Sequence, residues 1–257
     1  MTTSVIEHDK FITHKPIISV CGKGGVGKTV FSALLGRVIV ENGLKPLLLV
    51  DADPVGGLVS AIGEKAVKTL SGVRDMFIEE TRKGGRVSSR LIADQLDYFI
   101  LNALVEHHDY SFLAMGHTNE KGCFCSANKL LRSAMDEIIS AFAFVLIDAE
   151  AGIEQINRDV TCNVNRIIVV LDASQRSVDT LNAISNMVDS SIITVVANRV
   201  LPDKLLNITK NIEIAGVIPE NETLKQFDRD GWSLWKLPSD NEALMAVRKI
   251  AETTGLI

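Results

Sequence analysis

Nine consecutive residues, Cys21-Gly22-Lys23-Gly24-Gly25-Val26-Gly27-Lys28-Thr29, have the types and spacing to hold a polyphosphate. Gly22 through Thr29 satisfy the pattern Gly-x-x-x-x-Gly-Lys-Thr. The glycines let backbone N–H groups turn inward with no Cβ in the way, and a following helix N-terminus adds partial positive charge. Lys28 then neutralises the terminal phosphates, and Thr29 offers a hydroxyl to Mg²⁺. Context agrees: the apolar run Ile17-Ile18-Ser19-Val20 precedes the loop, and the helix-like segment Thr29 to Val40 follows it.

Three aspartates fall where such a loop needs carboxylates. Asp51 and Asp53 close one apolar run in Asp-Ala-Asp-Pro, and Asp148 closes Phe144-Val-Leu-Ile-Asp148. A strand-terminal carboxylate facing the phosphate loop orients Mg²⁺ or its waters, and a second one nearby positions an attacking water. A single such Asp reads equally well as a helix cap or turn former. Three of them beside a phosphate loop favour the chemical role.

A second constellation lies in the polar segment from Gly116 to Arg132, where Cys123 and Cys125 are separated by one residue ahead of an apolar-periodic stretch. Thiolates near a helix N-terminus are stabilised and suit a soft metal, whereas a disulfide between such close cysteines is strained. Two thiolates fall short of the four ligands that Zn²⁺ or a comparable ion usually takes, so a homodimer completing the set across its axis is expected. His117 reads as a polar loop residue, and Cys21 and Cys162 as packing residues.

These residues need a scaffold that gathers strand ends. Continuous apolar runs, without alternation, indicate strands covered on both faces and hence a parallel sheet. Strands are expected at Ile17 to Cys21, Pro46 to Asp51, Tyr98 to Asn102, Phe112 to Met115, Phe144 to Asp148, Arg166 to Asp172, Ile192 to Asn198 and Ile214 to Ile218. Besides the helix after the glycine loop, which ends near Asn42-Gly43, helices are expected at Leu70 to Thr81, Asn128 to Phe142, Ser177 to Val188, Asn221 to Arg229 and Asn241 to Thr253. The result is a doubly wound, mostly parallel α/β sheet with helices on both faces and ligands at the carboxyl ends of its strands.

Composition bounds the remaining choices. The chain has 257 residues, 46% hydrophobic and 23% charged, enough for one large α/β domain over 16–257 after a flexible extension over 1–15. A net charge of −5 disfavours wholesale nucleic-acid binding. No apolar run approaches the about 18 residues of a membrane span, and the polar N-terminus has no signal-peptide core, so a cytoplasmic protein without stable membrane association is expected. Four cysteines do not make a secreted disulfide framework.

The loop with Lys23 followed by Gly24-Gly25 resembles the deviant Walker A family, which includes MinD, ParA, the nitrogenase iron protein and several metal-maturation ATPases. The resemblance implies ATP hydrolysis in a homodimer, with Lys23 reaching a phosphate bound by the other subunit. It assigns Asp53 to orienting the attacking water, Asp51 and Asp148 to supporting Mg²⁺, and Asp148-Ala-Glu-Ala-Gly-Ile-Glu154 to a nucleotide-sensing switch. It places Asn198, Arg199, Pro219 and Glu220 around the base. Guanine-reading GTPases carry Asn-Lys-x-Asp, whereas here Arg199 follows Asn198 and Leu201 stands where the aspartate would be, so ATP is favoured. The Gly122-Cys-Phe-Cys125 loop and Leu130-Leu131-Arg132 narrow the resemblance, over 16–257, to CooC-type accessory ATPases of carbon monoxide dehydrogenase. These imply Ni²⁺ or Zn²⁺ held between paired Cys123 and Cys125 at the dimer interface, with carbon monoxide dehydrogenase as client. Two other classes stay open: an electron-transfer protein with a dimer-bridging iron–sulfur cluster, and a MinD/ParA-like positioning ATPase.

Overall fold

A strand that is apolar on every residue must be covered on both sides, and each central strand here divides its side chains between two cores. In the computed structural model, which describes residues 15–53, 56–65, 68–82, 98, 100–116, 134–149, 163–200 and 212–257, eight strands form one sheet. They are β1 (Ile17–Cys21), β2 (Leu47–Asp51), β3 (Val105–Glu106), β4 (Tyr110–Ala114), β5 (Phe144–Asp148), β6 (Arg166–Leu171), β7 (Ile193–Asn198) and β8 (Gly216–Ile218). Their spatial order is β3-β4-β2-β5-β1-β6-β7-β8. All neighbours run parallel except β3 against β4.

On one face Ile18 and Val20 of β1, Leu47 and Leu49 of β2, and Phe144 and Leu146 of β5 pack under α1 (Lys28–Glu41), α2 (Gly57–Ile62) and the C-terminal helix Glu242–Thr253. The opposite residues, Ile17 and Cys21, Leu48 and Val50, Val145 and Ile147, meet Leu70 and Val73 of α3 (Leu70–Arg82), Met135 and Ile139 of a helical segment at 134–140, and Leu181 and Ile184 of α4 (Gln175–Ser185). This period-two division is what makes each run look uniformly hydrophobic. One further helix, α5 (Glu222–Arg229), and the C-terminal helix, α6 (Glu242–Thr253), start at Asn221 and Asn241, whose side chains accept the amides of Leu224, and of Ala243 and Leu244. α6 buries Leu244, Val247, Ile250 and Ala251 in the core it shares with α1, which consumes its apolar face. Among the described residues no helix is long and apolar enough to cross a membrane.

The expected strand at Tyr98 to Asn102 is a correction: 98 and 100–103 are helical. Aromatic and branched residues suggested extension, but Ile100 and Ala103 are buried three residues apart while Tyr98 and Leu101 are exposed, a helical periodicity. The two-residue β3 and the six-residue α2 are additional elements too short to carry a periodic signal. Residues 1–14 lie outside the described residues; Lys15, at the end of the expected extension, donates its ammonium to the Ile139 carbonyl.

β1 stands near the middle of the sheet, between β5 and β6. The chain turns towards β2 and β4 on one side and towards β6, β7 and β8 on the other, so the carboxyl end of β1 is a topological switch point.

Candidate active site

The loop leaving β1 has the backbone its glycines permit. Gly22 and Gly27 have φ of 142° and 95°. A Cβ on Gly22 would overlap the Val170 carbonyl oxygen of β6, and one on Gly27 would overlap the Asn198 amide nitrogen. These two positions are closed to other residues by conformation and by space. α1 begins at Lys28 with no side-chain cap and no acidic residue in its first turn, so its amide end is left to an anion. The Lys28 ammonium, in a nearly buried side chain, and the Val26 amide converge on the Lys23 carbonyl at 3.3 and 3.4 Å. Both bonds are long, and phosphate oxygens offer these donors stronger acceptors.

Asp51 and Asp148 are opposite one another in the β2–β5 register, both almost completely buried. Asp51 spends its carboxylate on backbone: one oxygen accepts from the Asp53 amide at 3.1 Å, the other from Leu58 and Val59 at 2.9 and 3.2 Å. It thereby caps α2, whose own N-cap is a left-handed glycine, Gly56. Its main-chain carbonyl accepts from the Met115 amide at 2.8 Å. Asp148 accepts from the Ser32 hydroxyl at 2.9 Å through one oxygen, and its other oxygen is buried without a hydrogen-bond partner. Thr29 stands beside this carboxyl and against Gly57 at the start of α2. An orphaned carboxylate oxygen next to a hydroxyl and a phosphate loop fits a hydrated Mg²⁺.

Burial, then the Asp148 charge, pushes the Asp51 carboxyl up to about 7 against the three amides that favour its ionised form. Burial raises Asp148 to about 6 against the Thr29 and Ser32 hydroxyls and the Lys28 ammonium. Between about pH 4 and those values the folded chain binds more protons than the unfolded one, so the contribution of this pair to stability falls as pH rises through 6 and 7. The ligand-free melting temperature is expected to drop over that interval, with a shallower slope in Asp51→Asn, as thermal unfolding at a series of pH values will show.

A fourth carboxylate stands at a strand end, outside any recognised motif. Asp172, directly after β6, accepts from the Lys23 ammonium at 2.6 Å, the Ser174 hydroxyl at 2.5 Å and amide at 3.0 Å, and the Ser177 hydroxyl at 2.6 Å. Burial raises its affinity for a proton, but these donors outweigh it and hold the carboxyl well below the usual range. Ser174 also accepts a Lys23 hydrogen bond at 3.0 Å and caps α4. The signal was available: Asp172 closes an apolar run just as Asp148 does.

On the other flank, a cleft beside the loop is lined by Phe31 and Leu34 of α1, Asn198, Arg199, Pro219, Glu220 and Leu224. The Asn198 side chain donates to the Val26 carbonyl at 2.8 Å, which ties this wall of the cleft to the loop. Glu220 is paired with Lys225 at 2.6 Å. All four residues expected around the base meet at this cleft.

Residues 15–201 match the family described as an AAA domain, a span that takes in the glycine loop, all four strand-end carboxylates and Asn198. The chain belongs to this family of P-loop ATPases. An ATP-binding protein of Methanocaldococcus jannaschii is 36% identical over 92% of this chain and 97% of its own. The carbon monoxide dehydrogenase accessory protein CooC of Rhodospirillum rubrum is 29% identical over 93% of this chain and 99% of its own. The cell-division protein MinD of Aquifex aeolicus superposes with a TM-score of 0.67 at 22% identity, covering 94% of this chain and 97% of that one, which supports the doubly wound fold.

Within this P-loop ATPase the structure brings together Gly22 to Thr29, Asp51, Asp53 and Asp148 on one flank and Asn198, Arg199, Pro219 and Glu220 on the other. Cys123, Cys125, His117, Cys162 and the segment Glu150 to Glu154 lie outside the described residues. Among the described residues no cluster of His, Cys, Asp and Glu has the composition to hold a metal, and the described cysteine, Cys21, is buried with its thiol 3.2 Å from the Ser19 hydroxyl.

Proposed function

We propose that this protein is an ATP-hydrolysing metallochaperone whose nucleotide-bound homodimer holds Ni²⁺ or Zn²⁺ through Cys123 and Cys125 during maturation of a carbon monoxide dehydrogenase. The observation that carries the reading is the end-to-end relationship to CooC, in a chain that also supplies a Cys-x-Cys pair.

The residues divide the work as follows. Amides of the glycine loop and the Lys28 ammonium bind and orient the β- and γ-phosphates. Thr29 and the free oxygen of Asp148 would hold Mg²⁺ and its waters, the ion supplying charge neutralisation at the phosphates. Asp53, whose amide is fixed by Asp51, orients the water for in-line attack. Lys23 serves the partner subunit, and to do so it must leave the Asp172 and Ser174 contacts that retain it in its own chain. Exchange of that ion pair for a partner's phosphate ties dimerisation to nucleotide.

Anaerobic titration of the full chain with Ni²⁺ and with Zn²⁺, with and without ATP, tests the reading when molar mass and metal stoichiometry are followed together. One metal per two chains is expected, with Cys123→Ser/Cys125→Ser reducing affinity at least 100-fold. Unchanged affinity in the double variant sinks the metallochaperone role. Iron in brown, anaerobically purified protein would favour the electron-transfer reading instead.

MinD relatives, such as that of Thermotoga maritima at 25% identity over 81% of this chain, favour a positioning ATPase as the second reading. The structure weighs against membrane attachment through α6, whose apolar side is packed in the core. ATP-dependent co-sedimentation with liposomes would revive it.

A further inference from the structure

Two consecutive residues at the end of β7 hold two consecutive carbonyls of the phosphate loop. The Asn198 amide donates to the Val26 carbonyl at 2.8 Å, and the Arg199 guanidinium donates to the Gly25 carbonyl at 2.7 Å. Arg199 does this from an unusual backbone: with φ of 56°, it is the one non-glycine residue with positive φ among the described residues. That conformation is unfavourable for a residue with a Cβ and persists where surroundings fix it. Here its amide is tied to the Ile218 carbonyl of β8 at 2.9 Å while its side chain is tied to the loop.

A trans peptide points its N–H opposite its C=O. Holding the Gly25 carbonyl towards β7 therefore turns the Val26 amide away from it, and holding the Val26 carbonyl does the same for the Gly27 amide. Neither amide is consumed by a strong bond, since Val26 donates only at 3.4 Å to the Lys23 carbonyl. Inward amides fixed before the ligand arrives are what makes a glycine loop an anion nest. Arg199 stands beside the base cleft, yet its guanidinium is committed to the loop.

We propose that Arg199 is a positioning residue of the phosphate loop, aiming the Val26 amide through the Gly25 carbonyl, and that it contributes to phosphate affinity and not to base affinity. The proposal rests on the nucleotide-site reading of Gly22 to Thr29 and reassigns Arg199, expected from the sequence to serve the base.

Calorimetric titration of the full chain with ADP, pyrophosphate and adenosine separates the roles. Arg199→Ala is expected to weaken ADP and pyrophosphate by a similar factor, roughly 5- to 10-fold for a charged hydrogen bond at a partly solvated site, with adenosine unchanged. Arg199→Lys restores part of the loss. Arg199→Gly, which suits a φ of 56° and removes the guanidinium, shows the same ligand pattern as Arg199→Ala with a higher melting temperature. Loss of adenosine and ADP with pyrophosphate unaffected overturns the proposal in favour of a base contact. Wild-type pyrophosphate affinity in Arg199→Gly overturns it in favour of backbone strain alone. Wild-type protein that binds neither ADP nor pyrophosphate refutes the nucleotide-site reading itself, a result distinct from either.

Discussion

Lys28→Ala lowers ATP turnover by about two to three orders of magnitude and weakens ATP binding, while leaving the melting temperature close to that of the wild type. The first part follows from preorganised positive charge at the transferring phosphate, where removing one such donor costs on the order of 10²- to 10³-fold in rate. The second follows from what the ammonium does without ligand. Its one hydrogen bond is a long one, 3.3 Å to the Lys23 carbonyl, and the buried Asp148 that loses this nearby charge keeps the Ser32 hydroxyl and is already pushed up to about 6 by burial, so it can take up a proton instead of standing as an unpaired charge. Phosphate release at saturating ATP, measured beside thermal unfolding, separates the two; turnover above a third of wild type contradicts the assignment.

Asp53→Asn is the complementary case. Turnover is expected to fall about 10²- to 10³-fold, the range for losing a positioned acceptor of the attacking water's proton, with ATP affinity and nucleotide-dependent dimerisation retained. The substitution keeps size and shape, and it keeps the backbone amide that Asp51 holds at 3.1 Å, so the loop that carries the residue stays in place. Equilibrium binding of ATP together with molar mass in solution checks retention. If binding falls as steeply as turnover, Asp53 belongs to the ground-state contacts and the water is oriented by another group.

Much of this site was legible because its signals are local. Gly22 to Thr29 is contiguous, and Asp51 and Asp148 announce themselves as charges closing apolar runs, whose layering the two cores explain. What escaped was set by partners distant in sequence. Asp51 reads as a metal carboxylate, yet its oxygens lie on amides of Asp53, Leu58 and Val59, and nothing in Asp-Ala-Asp-Pro says that a six-residue helix will need that cap. Arg199 reads as a base contact because it follows Asn198, whereas its guanidinium belongs to a carbonyl 174 positions earlier. Tyr98 to Asn102 failed for a different reason: five residues are too few to distinguish a buried helical turn from a strand until one knows which side is covered.

Asp51 has one more consequence. Its carboxylate grips three amides of the segment running from Asp53 into α2, and its carbonyl grips the Met115 amide at the end of β4, so four backbone groups are pinned to a single residue. It behaves as the rivet of a linkage with two arms. One arm holds the Asp53 amide and the first turn of α2; the other holds Met115, next to the left-handed Gly116. The start of α2 and the end of β4 are therefore held to one point, and a shift of Asp51 is transmitted to both.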